Sequence, residues 1–181
     1  MSTQKDRQVR REFGSVEESE ALSIDEDRAE QIVEALNTDV ANGYVLYHQL
    51  KKHHWNIEGA EFLDLHVFLE DCYVNIEEGT DLIAERAQAI GGVPVAGMDS
   101  LLEHATIESE DEDVYDARTS LRNDMELYSE MIQGMREHVK LANNLGDFTT
   151  EEVLRDVLET MEEDAHHIEH YLEDDSLVVQ E

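Results

Sequence analysis

The sequence predicts an all-α fold, a bundle of four long helices with one long crossover, from three observations. Apolar residues recur every three to four positions through four long segments, as they do on the buried face of a helix. No segment has the strict alternation that is typical of a strand. The glycines and the only proline, Pro94, fall largely between the four segments.

The first two helices form the first predicted hairpin. The first helix begins at a capping box, Ser23-Ile-Asp-Glu26, and runs to about Trp55. The second covers about 61–90, and the pair Gly91-Gly92 ends it. A link of about twenty residues follows, and its apolar piece at Leu101-Leu102 is predicted as a short extra helix.

The last two helices form the second hairpin. The third runs from about 114 to 144 and stops before Gly146, and the fourth begins at a second capping box, Thr149-Thr-Glu-Glu152. Two hairpins joined by one long link have ferritin-like connectivity. The predicted boundaries are a flexible N-terminal tail at 1–22, the bundle at 23–175 and a C-terminal tail at 176–181.

The composition indicates a protein of a salt-rich cytoplasm. Thirteen Lys and Arg against 45 Asp and Glu give a net charge of −32, which excludes the broad basic surface that holds nucleic acid phosphates. Concentrated salt screens such self-repulsion. The single cysteine, Cys72, falls on the buried face of its helix, which favours packing in a reducing compartment. No apolar run approaches the roughly 18 residues that span a bilayer, so we expect neither a membrane nor direct DNA contact.

A stripe of histidine and carboxylate runs beside the apolar stripe of the second helix. His66 and Glu70 are one turn apart, as are Asp81 and Glu85, and close to three whole turns separate the two pairs. All four side chains therefore project from nearly one side. His54, at the end of the first helix, can fold back near His66 across the short loop. Imidazole with carboxylate suits iron or zinc, and iron in particular where a coordination position stays open.

The spacing also bears on assembly. From Glu70 to Asp81 the helix rises roughly 16 Å, at about 1.5 Å per residue, whereas a metal–ligand bond is about 2 Å. One metal therefore cannot bind both pairs within one chain. Either the pairs serve different purposes, or a second copy in antiparallel two-fold contact brings its Asp81 and Glu85 to the His54, His66 and Glu70 of the first.

Simpler roles are open for the same residues. In a chain with 45 acidic residues, Asp81 and Glu85 also fit an ordinary charged helix face, and Glu85 can pair with Arg86. A single histidine such as His66 is most often an interior residue with a satisfied partner.

The segment "KKHHWNIEGAEFLDLHVFLEDCYVNIEEGTDLIAERAQAIGG" resembles the signature region of the Dps family, the mini-ferritins named for DNA protection in starved cells. The match is dense over about 40 residues and the remaining helices are compatible with it. The matching elements are His54-Trp55-Asn56, Gly59, Phe62, Leu65-His66, Leu69-Glu70, Asp81, Ala84-Glu85-Arg86 and Gly91-Gly92.

This resemblance implies a hollow dodecamer with a ferroxidase centre at each two-fold interface. In it, one subunit would supply His54, His66 and Glu70, and its neighbour would supply Asp81 and Glu85. Glu70 departs from those members that have aspartate at this position; the ligand type is the same, and the side chain is one methylene longer. The implied reaction is oxidation of Fe(II), preferably by hydrogen peroxide, and storage of ferric oxide in the cavity, which protects DNA from oxidative damage.

Trp55 matches the tryptophan that lies near the centre in this family, which implies that it donates an electron during oxidation. The alternative is a packing anchor at the end of the first helix.

Two acidic groups match secondary sites of the family. Glu77 and Glu78 would nucleate the mineral if they face the cavity, and otherwise form a charged helix face. The acids that would line the three-fold pore through which iron enters are Asp147, Glu152 and Asp156. The alternative for all three is the acidic background of the chain.

His166 and His170 are one turn apart near the C-terminus, a spacing that can bind metal on a helix. The resemblance implies an auxiliary binding or transit site, and the alternative is a pair of histidines that complements the helix dipole.

Two rival functions fit parts of the sequence. A di-iron or di-manganese oxidase with its metals inside one bundle needs two Glu-x-x-His motifs on separate helices. The fourth helix has one, Glu163-Asp-Ala-His166, and the second helix has none. A non-catalytic acidic bundle, acting by interaction or by DNA protection, needs no metal site.

Overall fold

Five helices follow one another along residues 8–173, the part of the chain that the computed structural model describes. They are α1 (Glu26–Asn56), α2 (Phe62–Ala89), α3 (Met98–His104), α4 (Ala117–Leu145) and α5 (Phe148–Leu172). Over these residues no segment forms a strand, and one isolated bridge pairs Ser19 with Ile24. The predicted all-α fold with a short helix in the crossover is confirmed. None of the five helices is long and apolar enough to cross a bilayer.

The two predicted capping boxes do not form, and aspartates occupy the N-cap positions instead. Asp25 takes the N-cap position of α1 without a side-chain hydrogen bond, while Ser23 has a φ of +55°. Asp147 caps α5, because its carboxylate accepts a hydrogen bond from the Thr150 N–H at 3.0 Å. Aspartate is as good an N-cap acceptor as serine or threonine, so a neighbouring aspartate can displace them.

Four long helices pack around one core. α1 lies against α2 and α4, and α5 lies against the same two helices, so the four close a bundle. Fully buried apolar side chains from all four meet inside it, among them Leu36, Leu69, Met135 and Leu154. Burying one such side chain is worth about 1.5–3 kcal/mol, so the four apolar stripes hold the bundle together. Cys72 is buried in the same core, as predicted.

Buried polar side chains of α1 fix the path of the crossover between α2 and α4. The side-chain oxygens of Asn37, Asn42 and Gln49 accept hydrogen bonds from crossover N–H groups at 2.8–2.9 Å. Because an unpaired buried amide is costly, each of these bonds satisfies two groups at once. The crossover therefore lies along α1 rather than in solvent, with α3 packed on that helix.

Residues 8–22 lie against the bundle, which differs from the flexible tail predicted for 1–22. Val16 is buried, the Arg11 guanidinium donates to the carbonyl of Gly92 at 2.9 Å, and the Glu17 N–H donates to that of Gly91 at 3.1 Å. Gly91 has a φ of +99°, and a Cβ there would collide with the Glu17 carbonyl. A single buried valine does not form a periodic apolar pattern, so this contact could not be predicted from the sequence. The remaining predicted tail, 1–7 and 176–181, lies outside the described residues.

Candidate metal centre

The rings of His54 and His66 stack where the end of α1 meets the start of α2. Their centroids are 3.7 Å apart and their planes differ by 20°. The turn between the helices is closed by the Ile57 N–H, which donates to the His53 carbonyl at 2.8 Å, and the Ile57 side chain is buried. The structure thus brings together the two histidines that the sequence paired.

Hydrogen bonds fix which nitrogen of each ring carries a hydrogen. The Nδ1 atom of His54 lies 2.8 Å from the carbonyl oxygen of His66, and the Nδ1 atom of His66 lies 2.8 Å from that of His54. A carbonyl oxygen only accepts, so each Nδ1 must donate. In the neutral ring Nε2 then keeps its lone pair, as in a metal-ligating histidine whose other nitrogen is held by a carbonyl.

Glu70 is the third predicted ligand near the stacked histidines, and it supplies a carboxylate. It is exposed one turn after His66, and its Oε1 accepts a hydrogen bond from the Tyr73 hydroxyl at 3.2 Å. The Tyr73 ring also packs edge-on against His54, with centroids 5.3 Å apart. Tyr73 therefore contacts two of the three predicted ligands on this half of the chain.

Asp81 and Glu85 lie further along α2, and both are exposed. The Arg86 guanidinium does not pair with Glu85, because it donates to Asp147 at 2.7 Å and to Thr150 at 2.8 Å. Over residues 8–173, no three His, Cys, Asp or Glu side chains of one chain come together as a metal-binding group. The predicted ligands thus lie in two separate places: His54, His66 and Glu70 are near the turn between α1 and α2, and Asp81 and Glu85 are further along α2.

Exposed apolar side chains accompany the ligands along α2. Leu63, Val67 and Val74 are 66%, 48% and 38% exposed. At about 100° per residue they fall on the same face of α2 as His66 and Glu85. A helix face that meets water is normally polar, so this face has the character of a surface that packs against another protein.

Trp55 follows His54 in the chain, and its side chain lies on the surface. It is 67% exposed, and the ammonium group of Lys51 lies 6.0 Å from the centroid of its ring. The alternative role of a packing anchor within the chain does not hold, because a packing anchor would be buried.

His53, next to His54 in the chain, faces the interior and is sealed there. Its Nδ1 lies 2.8 Å from Asp124 of α4 and its Nε2 2.7 Å from Glu110 of the crossover. Burial alone would lower the pKa of His53, but the hydrogen bonds and charges of Asp124 and then Glu110 raise it above its usual value. Lys52 adds an ion pair with Glu110 at 2.6 Å. This network joins three parts of the fold and leaves no nitrogen of His53 open.

Of the three predicted pore acids, Asp147 is placed differently from the expectation. It is buried as the N-cap of α5 and forms the ion pair with Arg86, and the hydrogen bonds of Thr150 and the charge of Arg86 outweigh burial to lower its pKa. A carboxylate that is committed in this way does not line a pore. The other acids of the two predicted secondary sites are exposed, namely Glu77, Glu78, Glu152 and Asp156.

The C-terminal histidines lie on the outer face of α5. The Nε2 atoms of His166 and His170 are 3.0 Å apart. Glu163 and His166, the one Glu-x-x-His motif, are both exposed rather than directed into the bundle. The motif on which the rival in-bundle oxidase depends therefore lies on the surface.

Sequence reasoning missed Tyr73 and the network around His53. Tyr73 falls on the apolar stripe of α2, which predicts a packing residue, although its position three residues after Glu70 places the two side chains one above the other. Glu110 lies in a non-periodic crossover, so no pattern in the sequence places it beside His53.

Known proteins match the chain along nearly its whole length. A family model described as a ferritin-like domain matches residues 33–178. The "DNA protection during starvation protein" of Halobacterium salinarum is 60% identical over 180 residues, which are 99% of this chain and 98% of that protein.

Two solved structures extend the match to the fold. The crystal structure of an archaeal Dps homologue from Halobacterium salinarum has a TM-score of 0.92 at 60% identity and covers 99% of this chain and 98% of its own. The Dps protein of Vibrio cholerae, described as a member of a broad superfamily of ferritin-like diiron-carboxylate proteins, has a TM-score of 0.81 at 26% identity. It covers 88% of this chain and 99% of its own.

Proposed function

The chain belongs to the Dps family of ferritin-like proteins, and from that membership we propose that it is a ferroxidase and iron store. It oxidises Fe(II), preferably with hydrogen peroxide, and keeps the ferric oxide inside a hollow dodecamer. The stacked pair His54–His66 carries the proposal, because each ring is held by Nδ1 and offers Nε2. With the carboxylate of Glu70, one turn further along α2, they would supply nitrogen and oxygen ligands that suit Fe(II), the substrate, and leave positions open for the oxidant.

The register of α2 supports a centre shared between two copies. The pair Glu70 and Asp81 and the pair His66 and Glu85 are both centred between positions 75 and 76. An antiparallel two-fold contact at that point would bring both pairs together at once, at two equivalent centres. A site shared across a two-fold axis requires that its residue pairs have one common midpoint. An ordinary charged helix face does not require it.

The exposed apolar side chains on this face support the same contact. Leu63, Val67 and Val74 share a face with the ligands and remain partly exposed to solvent over residues 8–173. Packing them against a second copy would remove them from water at about 25 cal/mol per Å² of apolar surface.

Mixed assemblies test both the activity and the sharing. Subunits with His54→Ala and subunits with Glu85→Ala are each expected to lack peroxide-driven Fe(II) oxidation. Reassembled one to one, half of the interfaces are mixed and each mixed interface has one intact centre, so about a quarter of the wild-type rate returns. The measurement is the loss of Fe(II) and the appearance of ferric absorbance under anaerobic peroxide.

A mixture of His54→Ala with His66→Ala is the matched control. Both side chains come from the same subunit, so no mixed interface contains an intact centre and the rate stays at background. Equal recovery in both mixtures, or none in either, would contradict the shared centre. A wild-type assembly that neither oxidises nor retains iron would contradict the ferroxidase itself.

Secondary sites extend the proposal to the path of the iron. Glu77 and Glu78 would nucleate the mineral, and Glu152 and Asp156 would concentrate Fe(II) at a pore, since both pairs are exposed and carry charge.

His166 and His170 complete the proposed path as an auxiliary site. The 3.0 Å separation of their Nε2 atoms suits two ligands on one ion.

The proposed place of action is the cytoplasm, where the single buried thiol of Cys72 stays reduced. We predicted that the chain does not bind DNA directly. The name of the Halobacterium relative, which refers to DNA protection, does not support that prediction. The net charge of −32 remains its basis, and on our proposal the protein protects DNA by removing iron and peroxide.

A further inference from the structure

Three tyrosines form a continuous row of ring contacts that starts at the candidate metal centre. The Tyr73 ring lies 5.3 Å from His54 and 5.8 Å from Tyr47, and Tyr47 lies 6.4 Å from Tyr44. All these centroid distances belong to edge-to-face contacts. We call Tyr73, Tyr47 and Tyr44 the tyrosine ladder. It runs from the end of α1 toward the middle of the α1–α2 pair.

The first tyrosine of the ladder is joined to the centre by a hydrogen bond as well as by ring contact. Its hydroxyl donates to Oε1 of Glu70 at 3.2 Å. Electron tunnelling weakens exponentially with distance, so steps of one ring spacing are fast. A phenol gives up its proton when it loses an electron, and Glu70 accepts the bond along which that proton leaves.

A lysine lies over two rings of the ladder. The ammonium group of Lys51 is 4.4 Å from the Tyr73 centroid and 5.0 Å from that of Tyr47, and it donates to the Tyr47 hydroxyl at 3.1 Å. A cation disfavours a ring that carries positive charge. The oxidised state of the ladder is therefore a neutral phenoxyl radical, which requires the proton exit that Glu70 offers.

We propose that the tyrosine ladder supplies the second electron when hydrogen peroxide meets a centre that holds a single Fe(II). This inference rests on the proposed ferroxidase function. Fe(II) gives one electron and becomes Fe(III). Tyr73 gives the other together with its proton and becomes a phenoxyl radical. With one further proton from solvent, the O–O bond breaks and both oxygens leave as water.

The ladder then moves the radical away from the centre and restores itself. Transfer from Tyr73 to Tyr47 and Tyr44 exchanges one electron and one proton at each step. A second Fe(II) returns an electron, and a proton from solvent restores the phenol. The sum is two Fe(II) oxidised per peroxide, so hydroxyl radical does not form even though the ions arrive one at a time.

Trp55 is a weaker source for this electron than Tyr73. Over residues 8–173 its ring makes no stacking contact with another aromatic ring, and it is two-thirds exposed to water. A radical there would face solvent, whereas Tyr73 is half-buried and passes the radical to a neighbouring ring.

Electron paramagnetic resonance after rapid freezing tests the ladder. The assembly is given one Fe(II) per centre without oxygen, mixed with one equivalent of hydrogen peroxide and frozen. We expect a phenoxyl signal that narrows when the protein is grown with ring-deuterated tyrosine. Tyr73→Phe should lose this signal, and a spin trap should then collect more hydroxyl radical than with the wild type.

Tyr115→Phe is the matched control. Tyr115 is half-buried in the crossover, and Lys52 lies 5.3 Å from its ring centroid, so it shares burial and a lysine neighbour with the ladder but lies outside it. Its signal should equal that of the wild type. An unchanged signal in Tyr73→Phe, a signal insensitive to tyrosine deuteration, or no radical at all contradicts the ladder.

Wild-type protein given two Fe(II) per centre separates the two proposals. Iron oxidation under that loading together with any of the contradicting results overturns the ladder alone. Absence of oxidation under that loading overturns the ferroxidase and the ladder with it.

Discussion

His53 and His54 are consecutive in the sequence and opposite in environment. Both nitrogens of His53 face carboxylates in the interior, whereas His54 commits only Nδ1 and keeps Nε2 free. One residue turns an α-helix by about 100°, which sends the first ring toward α4 and the second toward α2. The two histidines differ in how many ring nitrogens already have a hydrogen-bond partner. With both nitrogens bonded, His53 stabilises the fold, whereas His54 has one nitrogen left that can bind metal.

The largest effect is expected on the free energy of unfolding, when the buried pair of His53 and Asp124 is broken. Asp124→Ala leaves Nδ1 of His53 without its carboxylate in the interior, and removal of one partner of a buried pair costs about 3–5 kcal/mol in unfolding free energy. Denaturant unfolding in concentrated salt measures this loss. The exposed Asp113→Ala should change the unfolding free energy by less than about 0.5 kcal/mol. Similar values for both variants would remove the distinction between the two histidines.

The next effect is expected at the open histidine, in metal binding rather than stability. His54→Ala should weaken Fe(II) binding by at least about 100-fold, because loss of a group that only orients a ligand already costs 10–100-fold. Anaerobic titration of the assembly with Fe(II) measures this affinity. His48→Ala, an exposed histidine of the same helix, should bind Fe(II) like the wild type. Undiminished binding by His54→Ala would show that its Nε2 is not a ligand.

The smallest effect is a dependence of stability on pH. The folded protein raises the pKa of His53 above the unfolded value of about 6.5, so protonation of this ring favours folding. Its contribution is complete below that unfolded value and is lost as the pH rises through the higher folded pKa. We therefore expect the stability advantage of wild type over His53→Gln to shrink on alkalisation.

Unfolding curves at several pH values, in constant salt, check this sign. His48→Gln provides the baseline, since that ring is exposed. An advantage that grows with pH would mean that the folded protein lowers the pKa of His53 instead of raising it.

Periodicity predicted the four long helices, and the apolar pair Leu101-Leu102 predicted the short one, but nothing in the sequence placed the rest of the crossover. The stripe of His66, Glu70, Asp81 and Glu85 could be placed on one face of α2 because a regular helix fixes angles and rises. The crossover has no period, and its Glu110 reaches His53 only because Gln49 and Lys52 of α1 bind that part of the chain. The sealed site depends on tertiary contacts that no local rule contains.

The same limit explains the errors at helix starts and at Asp147. A capping box is a local pattern, yet several oxygen-bearing side chains near each start compete for the same N–H groups. Asp147 gained the position on α5 and also the charge of Arg86 from α2, a contact between residues distant in sequence. The number of acidic residues in a sequence does not show which carboxylates are bound in caps and ion pairs, as Asp147 is, and which are exposed.

The contact of residues 8–22 with the end of α2 has a consequence for engineering. Because Val16 is buried and Arg11 is bound to the Gly92 carbonyl, the chain leaves the bundle from a defined point instead of from a loose end. A reporter or peptide fused ahead of residue 8 would start at that point on every subunit. In a closed assembly, cargo attached there would recur at the spacing of the subunits.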